Sequence, residues 1–374
     1  MINNDIKTYL QNVANKPAIH EQLPKLINEI NLSIVIPAYN EENYIGQLLT
    51  YLNQQVISAN FEIIIVDNGS NDNTLSIVKK FNNSHPTYLI QELKRGAGNT
   101  RKSGADEVIR RVYERDFKTG LKKHYIAFTD ADTKPDNLWL SDMYSLLCST
   151  GDSSLISGNY EASQEVEEIV NKKIGINNFF RSFSVLSSEL DKMVGQTRMR
   201  GPNSGLEIEC YIKAGGFRQP VDKNGNTAPR ECFDLAHRIA LQGTPILHFN
   251  HTIIASQRRK LQEIISGISS YEKIDTNTKR FISNQEPEET ILEKALDVPA
   301  REWASYRDKI YSKIAINSLL TPIYNKKNIK IENVEYINNW KNLIADSSSL
   351  SFNDFCDKWA RSIADDTLRN CNYK

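Results

Sequence analysis

Hydrophobic residues follow two alternating patterns along the first half of the chain. Short apolar runs rich in β-branched residues, typical of buried parallel strands, occupy residues 32–37, 61–66, 87–93 and 125–129. The stretches between them carry apolar residues three and four positions apart, which is typical of amphipathic helices. This alternation predicts an α/β fold in which a mostly parallel sheet is flanked by helices.

The rest of the chain has a more helical pattern. Residues 1–30 carry apolar positions at helical spacing with an interruption near Pro17, which predicts a helical lead-in. Further strands are predicted near residues 155–157 and 245–254, and further helices within 163–193 and over 231–242. We therefore expect a lead-in at 1–30, an α/β domain at 31–260 and a helical C-terminal region at 261–374, which could form a homodimer.

Composition narrows the class of protein. The 374 residues are 40% hydrophobic and 25% charged, values typical of globular chains. Lysine plus arginine equals aspartate plus glutamate at 46 each, so no net charge favours nucleic acid or an anionic membrane. The chain shows no secretory signal and no apolar run near the roughly 20 residues of a membrane helix. Its five scattered cysteines favour reduced thiols and a cytoplasmic location.

Polar and glycine-containing segments follow the four predicted strands. They read Pro37-Ala-Tyr-Asn-Glu-Glu, Asp67-Asn-Gly-Ser, Lys94-Arg-Gly-Ala-Gly and Asp130-Ala-Asp. In open parallel sheets, ligands bind beyond the carboxyl ends of the strands. These segments supply acceptors, basic groups and glycine for close backbone approach, so their convergence predicts a binding site at this edge.

Asp130 and Asp132 are the candidate metal ligands. Two carboxylates this close would repel each other, and a divalent cation relieves that repulsion. Mg²⁺ and Mn²⁺ bind carboxylate oxygens and phosphate oxygens at the same time. An isolated Asp-x-Asp triplet is also common in ordinary turns, so the prediction depends on the three other segments.

Three of these motifs resemble a known family. Ser33-Ile-Val-Ile-Pro-Ala-Tyr-Asn-Glu-Glu, Ile65-Val-Asp-Asn-Gly-Ser-Asn-Asp-Asn-Thr and Phe128-Thr-Asp-Ala-Asp resemble family 2 glycosyltransferases of the GT-A fold, over about residues 32–245. The resemblance implies a metal-dependent enzyme that uses Mn²⁺ or Mg²⁺. It would move a sugar from a UDP- or GDP-sugar to a hydroxyl acceptor, with inversion at the anomeric carbon.

The resemblance also implies roles in donor binding. Pro37 and Tyr39 would line the nucleobase pocket, and Arg101 would approach the base or the phosphates. Asp67 and Asn68 would hydrogen-bond the base or the ribose. The family often has a second aspartate where this chain has Asn68, whose amide can donate as well as accept. The same donor-binding set includes Glu41, Asp130 and Ala131.

The general base departs from the family pattern. Glu231-Cys-Phe-Asp-Leu-Ala-His-Arg resembles the motif Glu-Asp-x-x-Leu-x-x-Arg, whose aspartate is the base in inverting members. Here that position is Cys232, and a thiol with a pKa near ~8.5 replaces a carboxylate poorly. Glu231 and Asp234 are the candidates, with Glu231 preferred, because residues three apart share a helix face while Cys232 would turn aside.

Two questions stay open at this point. Some family members complete the metal site with a histidine after the base motif, which makes His251 a candidate third ligand. A structural histidine in an apolar strand is the alternative. Cys232 at the base position also keeps two other functions open: a retaining glycosyltransferase, in which Cys232 as a covalent nucleophile is one possibility, and a non-catalytic protein that binds sugar nucleotides.

Overall fold

The computed structural model describes residues 2–14, 23–117, 122–150, 154–175, 177–193, 198–221, 231–267, 286–320, 323 and 340–370. They form two compact units. The first lies within residues 1–160 and 198–255, and the second lies within 161–197 and 256–374. Residues 161–197 therefore pack with the C-terminal part of the chain. The division predicted from the sequence, with boundaries at 30 and 260, stays a prediction.

Within the described residues, eight strands form one mixed sheet in the order β3-β2-β1-β4-β7-β6-β8-β5. They are β1 (Ile30–Ala38), β2 (Asn60–Asp67), β3 (Thr87–Gln91), β4 (Tyr125–Phe128), β5 (Thr133–Lys134), β6 (Leu155–Glu161), β7 (Ser204–Glu207) and β8 (Ile246–Ala255). Strands β1 to β4 pair in parallel, whereas β7 is antiparallel to β4 and β6. The chain runs outward from β1 to β3 and returns to β4 on the other side of β1. That reversal is a topological switch point, where open sheets bind ligands.

Helices cover the sheet and build the second unit. Those of the first unit are α1 (Ile2–Asn12), α2 (Ile45–Asn53), α3 (Thr74–Lys80), α4 (Ala97–Asp116), α5 (Trp139–Ser149), α8 (Ile208–Lys213) and α9 (Glu231–Leu241). Those of the second are α6 (Gln164–Ile174), α7 (Phe179–Met193), α10 (Arg258–Ser266), α11 (Glu288–Leu296), α12 (Ala300–Ala315), α13 (Trp340–Ser349) and α14 (Phe352–Asn370). A π-helical segment, Ile316–Leu320, follows α12. The predicted α/β class with a helical C-terminal extension is confirmed.

The sheet has an apolar core on each face, because successive strand residues point to opposite sides. Ile34 and Ile36 belong to the cluster that includes α2 and α5, whereas Val35 belongs to the cluster that includes α4. Gly104 of α4 lies directly on the sheet, since a Cβ there would be 2.9 Å from Val66. This close approach sets the distance between α4 and the sheet.

The N-terminal lead-in is helical only in part. Helix α1 buries Ile6 and Tyr9, and the Tyr9 hydroxyl donates to Asp106 of α4 at 2.6 Å. The helical prediction is wrong for residues 23–29, which precede β1 without forming a helix. Proline at position 24 lacks the N–H that a helix interior uses, and its carbonyl accepts from Arg111 at 3.1 Å. Residues 15–22 lie outside the described part.

The second unit has its own core of aromatic and aliphatic side chains. Trp303 and Phe179 are fully buried and meet edge to face at a centroid distance of 5.2 Å. The prediction that the tail packs as helices is confirmed for the described residues beyond 256, while 268–285 and 324–339 fall outside them. No helix in the described ranges is both long and apolar enough to cross a membrane. Cytoplasmic location and a homodimer stay predictions.

A buried polar network lies near the start of β1 and β4. The Ser33 hydroxyl donates to Glu62 at 2.8 Å and lies 2.9 Å from Nε2 of His124. Since that hydroxyl gives its proton to the carboxylate, Nε2 of His124 is the donor to Ser33. Burial, and next the charge of Arg115, lower the pKa of His124 to about 3. His124 is therefore neutral in the folded protein.

We expect His124→Gln to reduce the acid sensitivity of folding. In the unfolded protein His124 binds a proton below pH ~6.5, whereas in the folded protein it does not. The free energy of unfolding therefore decreases as the pH falls from ~6.5 toward 3, by about 1.4 kcal/mol per pH unit. Burial raises the pKa of Glu62, which acts in the opposite direction and is common to both proteins. Urea unfolding should show that wild type loses about 2 kcal/mol more than the variant between pH 7 and 5. Equal losses would contradict the assignment.

Candidate functional site

The loops after β1 and β2 are bound to each other by side-chain hydrogen bonds. The backbone N–H of Asn40 donates to the Ser70 hydroxyl at 2.9 Å. The side-chain Oδ1 of Asn40 accepts from the backbone N–H of Asn71 at 2.9 Å. The Glu41 N–H donates to the Thr74 hydroxyl at 2.7 Å. Asn40 has a φ of 54°, a conformation that asparagine tolerates better than most residues. These loops form one fixed surface beyond the strands.

Asp67 is fully buried at the end of β2. Its carboxylate accepts from the N–H groups of Gly69 at 3.0 Å and Ser70 at 3.1 Å, and from the Gln91 side chain at 3.4 Å. Both carboxylate oxygens therefore shape the turn. The predicted hydrogen bond between Asp67 and a base or ribose stays a prediction. The ligand would have to donate to carboxylate oxygens that already accept these bonds.

Asn68 uses its whole side-chain amide inside the protein. Its Nδ2 donates to the carbonyls of Glu92 at 2.6 Å and Lys94 at 2.9 Å. Its Oδ1 accepts from the Gly96 N–H at 3.1 Å. An aspartate could not donate to the two carbonyls. This gives a structural reason for the departure from the family pattern, because Asn68 holds the loop that leads into α4.

The half-buried Tyr39 and the exposed Arg95 form a pair at these loops. The guanidinium carbon of Arg95 lies 4.3 Å from the Tyr39 ring centroid, a cation–π contact. Arg95 also donates to the Asn68 carbonyl at 3.2 Å. Pro37 is half-buried near the end of β1, below this pair. Arg95 was not predicted from the sequence, although its place immediately before Gly96 was a signal.

Two glycines at the start of α4 allow close packing against α9. A Cβ at Gly98 would lie 2.8 Å from the Arg218 carbonyl and 2.9 Å from Cβ of Glu231. The Gly98 N–H donates to the Gln219 side chain at 3.0 Å, and Gly96 has a φ of 119°. These two glycines bring the start of α4 next to the start of α9, where the base candidates lie.

Arg101 is at the centre of the site. Its side chain is 5% exposed, its Nη2 pairs with Asp130, and its Nη1 pairs with Glu231 at 2.5 Å. Burial would lower the pKa of Arg101, but the nearby acids, Asp130 foremost, raise it above its ordinary value. A Cβ at Gly201 would lie 2.5 Å from Nη2. Both Nη groups are therefore bound to carboxylates, and the approach of Arg101 to the base or the phosphates stays a prediction.

The structure separates the two base candidates. Glu231 is joined to Asp130 through Arg101, its side chain is 13% exposed, and its second oxygen makes no hydrogen bond to the described residues. Asp234 instead accepts from Arg238 at 2.6 Å and 3.0 Å, and Arg238 also donates to the Ala214 carbonyl. Glu231 therefore contacts Arg101 at the centre of the site, whereas Asp234 is paired with Arg238 of its own helix.

Cys232 does not turn away from this cluster. Its Sγ lies 3.5 Å from Oε1 of Glu231 and would lie 3.1 Å from a Cβ at Gly201. Burial and then the Glu231 charge raise the pKa of Cys232 well above its ordinary value, although Arg101 lowers it. The neutral thiol is a poor nucleophile.

The three predicted metal ligands are not gathered at one point. Asp130 and Asp132 are half-buried after β4, but His251 lies between two other carboxylates. Its Nε2 is 2.9 Å from Asp136 and its Nδ1 is 3.1 Å from Asp142. Within the described ranges, no group of three or more His, Cys, Asp or Glu side chains is suited to a metal ion. The aspartate pair still fits Mg²⁺ or Mn²⁺, because such ions often use one or two carboxylates together with substrate phosphates and water.

Comparison with known proteins agrees with the motif resemblance. The family model described as glycosyl transferase family 2 matches residues 33–224, just over half of the chain. Glycosyltransferase AglE of Haloferax volcanii is 29% identical over 35% of this chain and 39% of its own length. A dolichyl N-acetyl-alpha-D-glucosaminyl phosphate glucuronosyltransferase of Methanococcus voltae is 27% identical over 51% of this chain and 50% of its own. The chain thus spans half or less of these curated relatives.

Solved structures give only distant similarity. Residues 1–349 of TarS from S. aureus, crystallised with UDP-GlcNAc, align with a TM-score of 0.43 and 13% identity. The alignment covers 91% of this chain and 92% of that one. At this distance the similarity carries no functional argument.

We expect Asn68→Asp to weaken binding of all nucleoside diphosphates by a similar factor. The carboxylate would leave the Glu92 and Lys94 carbonyls without a donor, at a cost of about 2 kcal/mol or more. Thermal denaturation and calorimetric titration with UDP, GDP and CDP would measure this. Asn53→Asp is the control, since Asn53 makes an equivalent exposed pair of bonds to Asn82 and Ser84 at 3.0 Å each. A changed base preference at full stability would show instead that Asn68 contacts the base.

Proposed function

The chain belongs to glycosyl transferase family 2, and on this premise we propose that it transfers a sugar from a nucleoside-diphosphate sugar to a hydroxyl acceptor. The observation that carries the proposal is the pair of carboxylates held by one buried guanidinium. Asp130 lies at the switch point of the sheet, and Glu231 lies at the start of α9, both bound to Arg101. This arrangement supports Asp130 as the donor-binding acid and Glu231 as the proton acceptor of the proposed reaction.

The donor half uses the surface beyond β1, β2 and β4. The Tyr39–Arg95 pair offers a flat, cationic face to the nucleoside of a UDP- or GDP-sugar. Asp130 and Asp132 would hold Mn²⁺ or Mg²⁺ together with the diphosphate. When bound, the cation neutralises the charge that develops on the leaving diphosphate. Glu41 and Ala131 lie buried beside these groups, in the positions proposed for donor binding.

The acceptor half depends on Glu231. The acceptor hydroxyl oxygen would bond to the anomeric carbon while the bond to the diphosphate oxygen breaks, and the hydroxyl proton would pass to Glu231. One carboxylate oxygen is held by Arg101, and the other is available for that proton. A single displacement of this kind inverts the anomeric carbon. The neutral Cys232 thiol argues against a covalent intermediate, and the free oxygen of Glu231 argues against a purely binding role.

We expect Asp132→Asn to abolish sugar transfer and metal-dependent donor binding without unfolding the protein. The neutral amide removes one of two charges available to the cation. Thermal-shift assays with UDP, GDP and CDP, each with and without Mn²⁺, should show a metal-dependent rise in melting temperature for wild type only. Without ligand, the two proteins should melt alike. Unchanged turnover, or no nucleoside diphosphate bound by wild type, would refute the proposal.

Glu231→Gln should reduce kcat by about 10²–10⁴-fold, because the amide cannot take the acceptor proton. Cys232→Ser should keep most of the turnover, since the thiol neither attacks nor accepts a proton. Asp234→Asn tests the second candidate on the same helix and should change kcat far less than Glu231→Gln. Steady-state kinetics with NMR of the product anomer would compare the three. Retention of configuration, with turnover lost in Cys232→Ser, would reverse the assignment.

A further inference from the structure

We infer that Arg101 is a positioning residue, which orients the Glu231 carboxylate for the acceptor while it is bound to Asp130 on the donor side. The inference rests on the proposed function. It assigns Arg101 a different role from the contact with base or phosphates that the family resemblance implies.

The guanidinium of Arg101 has little freedom to move. It is 5% exposed, and its Nη2 and Nη1 are bound to two different acids. Gly201 lies against it, since a Cβ there would be 2.5 Å from Nη2 and 2.8 Å from Cζ. Because a guanidinium is planar, holding one acid on each Nη fixes the two carboxylates relative to each other.

Glu231 depends on Arg101 for its orientation. Within the described residues its side chain has two partners, Arg101 at 2.5 Å and the Cys232 thiol at 3.5 Å, and both meet Oε1. A thiol is a weak donor, so the arginine supplies most of the directional force. The same contact leaves Oε2 of Glu231 for the acceptor. Without Arg101 this carboxylate would be free to rotate.

The proposed donor half, with Asp130, and the proposed acceptor half, with Glu231, therefore share the guanidinium of Arg101. Any ligand that engages Asp130 acts on the same guanidinium that holds Glu231. Substituting Arg101 should then affect the chemical step more than donor affinity, since each Nη is already bound to a carboxylate of the site.

The experiment combines Arg101→Gln with Glu231→Gln in a double-mutant cycle. Arg101→Gln should lower kcat by about 10–10²-fold, while the Kd of the nucleoside diphosphate with Mn²⁺ changes by less than about 5-fold. The double variant should match the kcat of Glu231→Gln alone within about 3-fold, because the carboxylate that Arg101 orients is already absent. Arg101→Lys, which keeps the charge but not the two-armed geometry, should fall between wild type and Arg101→Gln.

Arg111→Gln is the matched control. Arg111 also lies on α4, is 3% exposed at its side chain, and pairs with Glu62 at 2.7 Å away from the site. Its loss should lower the melting temperature at least as much as Arg101→Gln, yet leave kcat per folded molecule unchanged. A merely structural role for Arg101 would make the two arginine variants behave alike.

Four outcomes would overturn the inference. A large rise in nucleotide Kd at unchanged kcat would show that Arg101 binds the donor directly, and multiplicative losses with Glu231→Gln would show that the two residues act independently. If wild type transfers sugar and both Arg101 variants keep wild-type kcat, the inference alone fails. If wild type neither binds nucleoside diphosphates nor transfers sugar, the proposed function fails as well.

Discussion

A buried arginine has to be paired, because an isolated charge in a protein interior is costly and removal of one partner leaves that cost uncompensated. In the first unit this requirement falls on Arg101. Its two acidic partners lie 29 and 130 positions away in the sequence, so the pairing joins α4, the end of β4 and the start of α9. The small residues Gly98 and Gly201 leave room for these segments to meet. The site is thus a consequence of charge pairing in the fold.

Several motif residues hold the loops of the site in place through hydrogen bonds within the protein. Asp67 and Asn68 have the residue types of a nucleotide-binding motif, yet their polar atoms close a turn and hold the next loop. The Asn40 loop is fixed in the same way by side-chain contacts across the strand ends. A surface built by such short polar contacts is preorganised, so a ligand does not have to order it.

Much of the fold could be predicted from the sequence, because buried strands and amphipathic helices have local signatures. The four parallel strands were predicted within a few residues. Helix α5 was not, and neither was the two-residue strand β5. The same omission hid the partners of His251, Asp136 and Asp142, which lie just before α5 and on it, and its place in a metal site stays a prediction. A long-range partner cannot be assigned when the element that carries it is missing.

The site was predicted as a set of residues rather than as a set of contacts. Arg101, Asp130 and Glu231 were each identified, but motif order gives no information on which side chains meet. The choice between Glu231 and Asp234 shows the same limit, since equal helical spacing suits both. What separates them is Arg238, which binds Asp234 one helical turn later. Such competition between partners is decided by packing in three dimensions.

The cysteine at the usual base position is consistent with the charge balance of this cluster. Asp130 and Glu231 already share the single positive charge of Arg101, which leaves one excess negative charge in a largely buried place. A carboxylate at position 232 would add a third acid around the same guanidinium, and repulsion would oppose its ionisation. A buried neutral thiol avoids that cost and still donates weakly to Glu231. On the proposed function, the acidic role would therefore fall one residue earlier, to Glu231, which Arg101 holds.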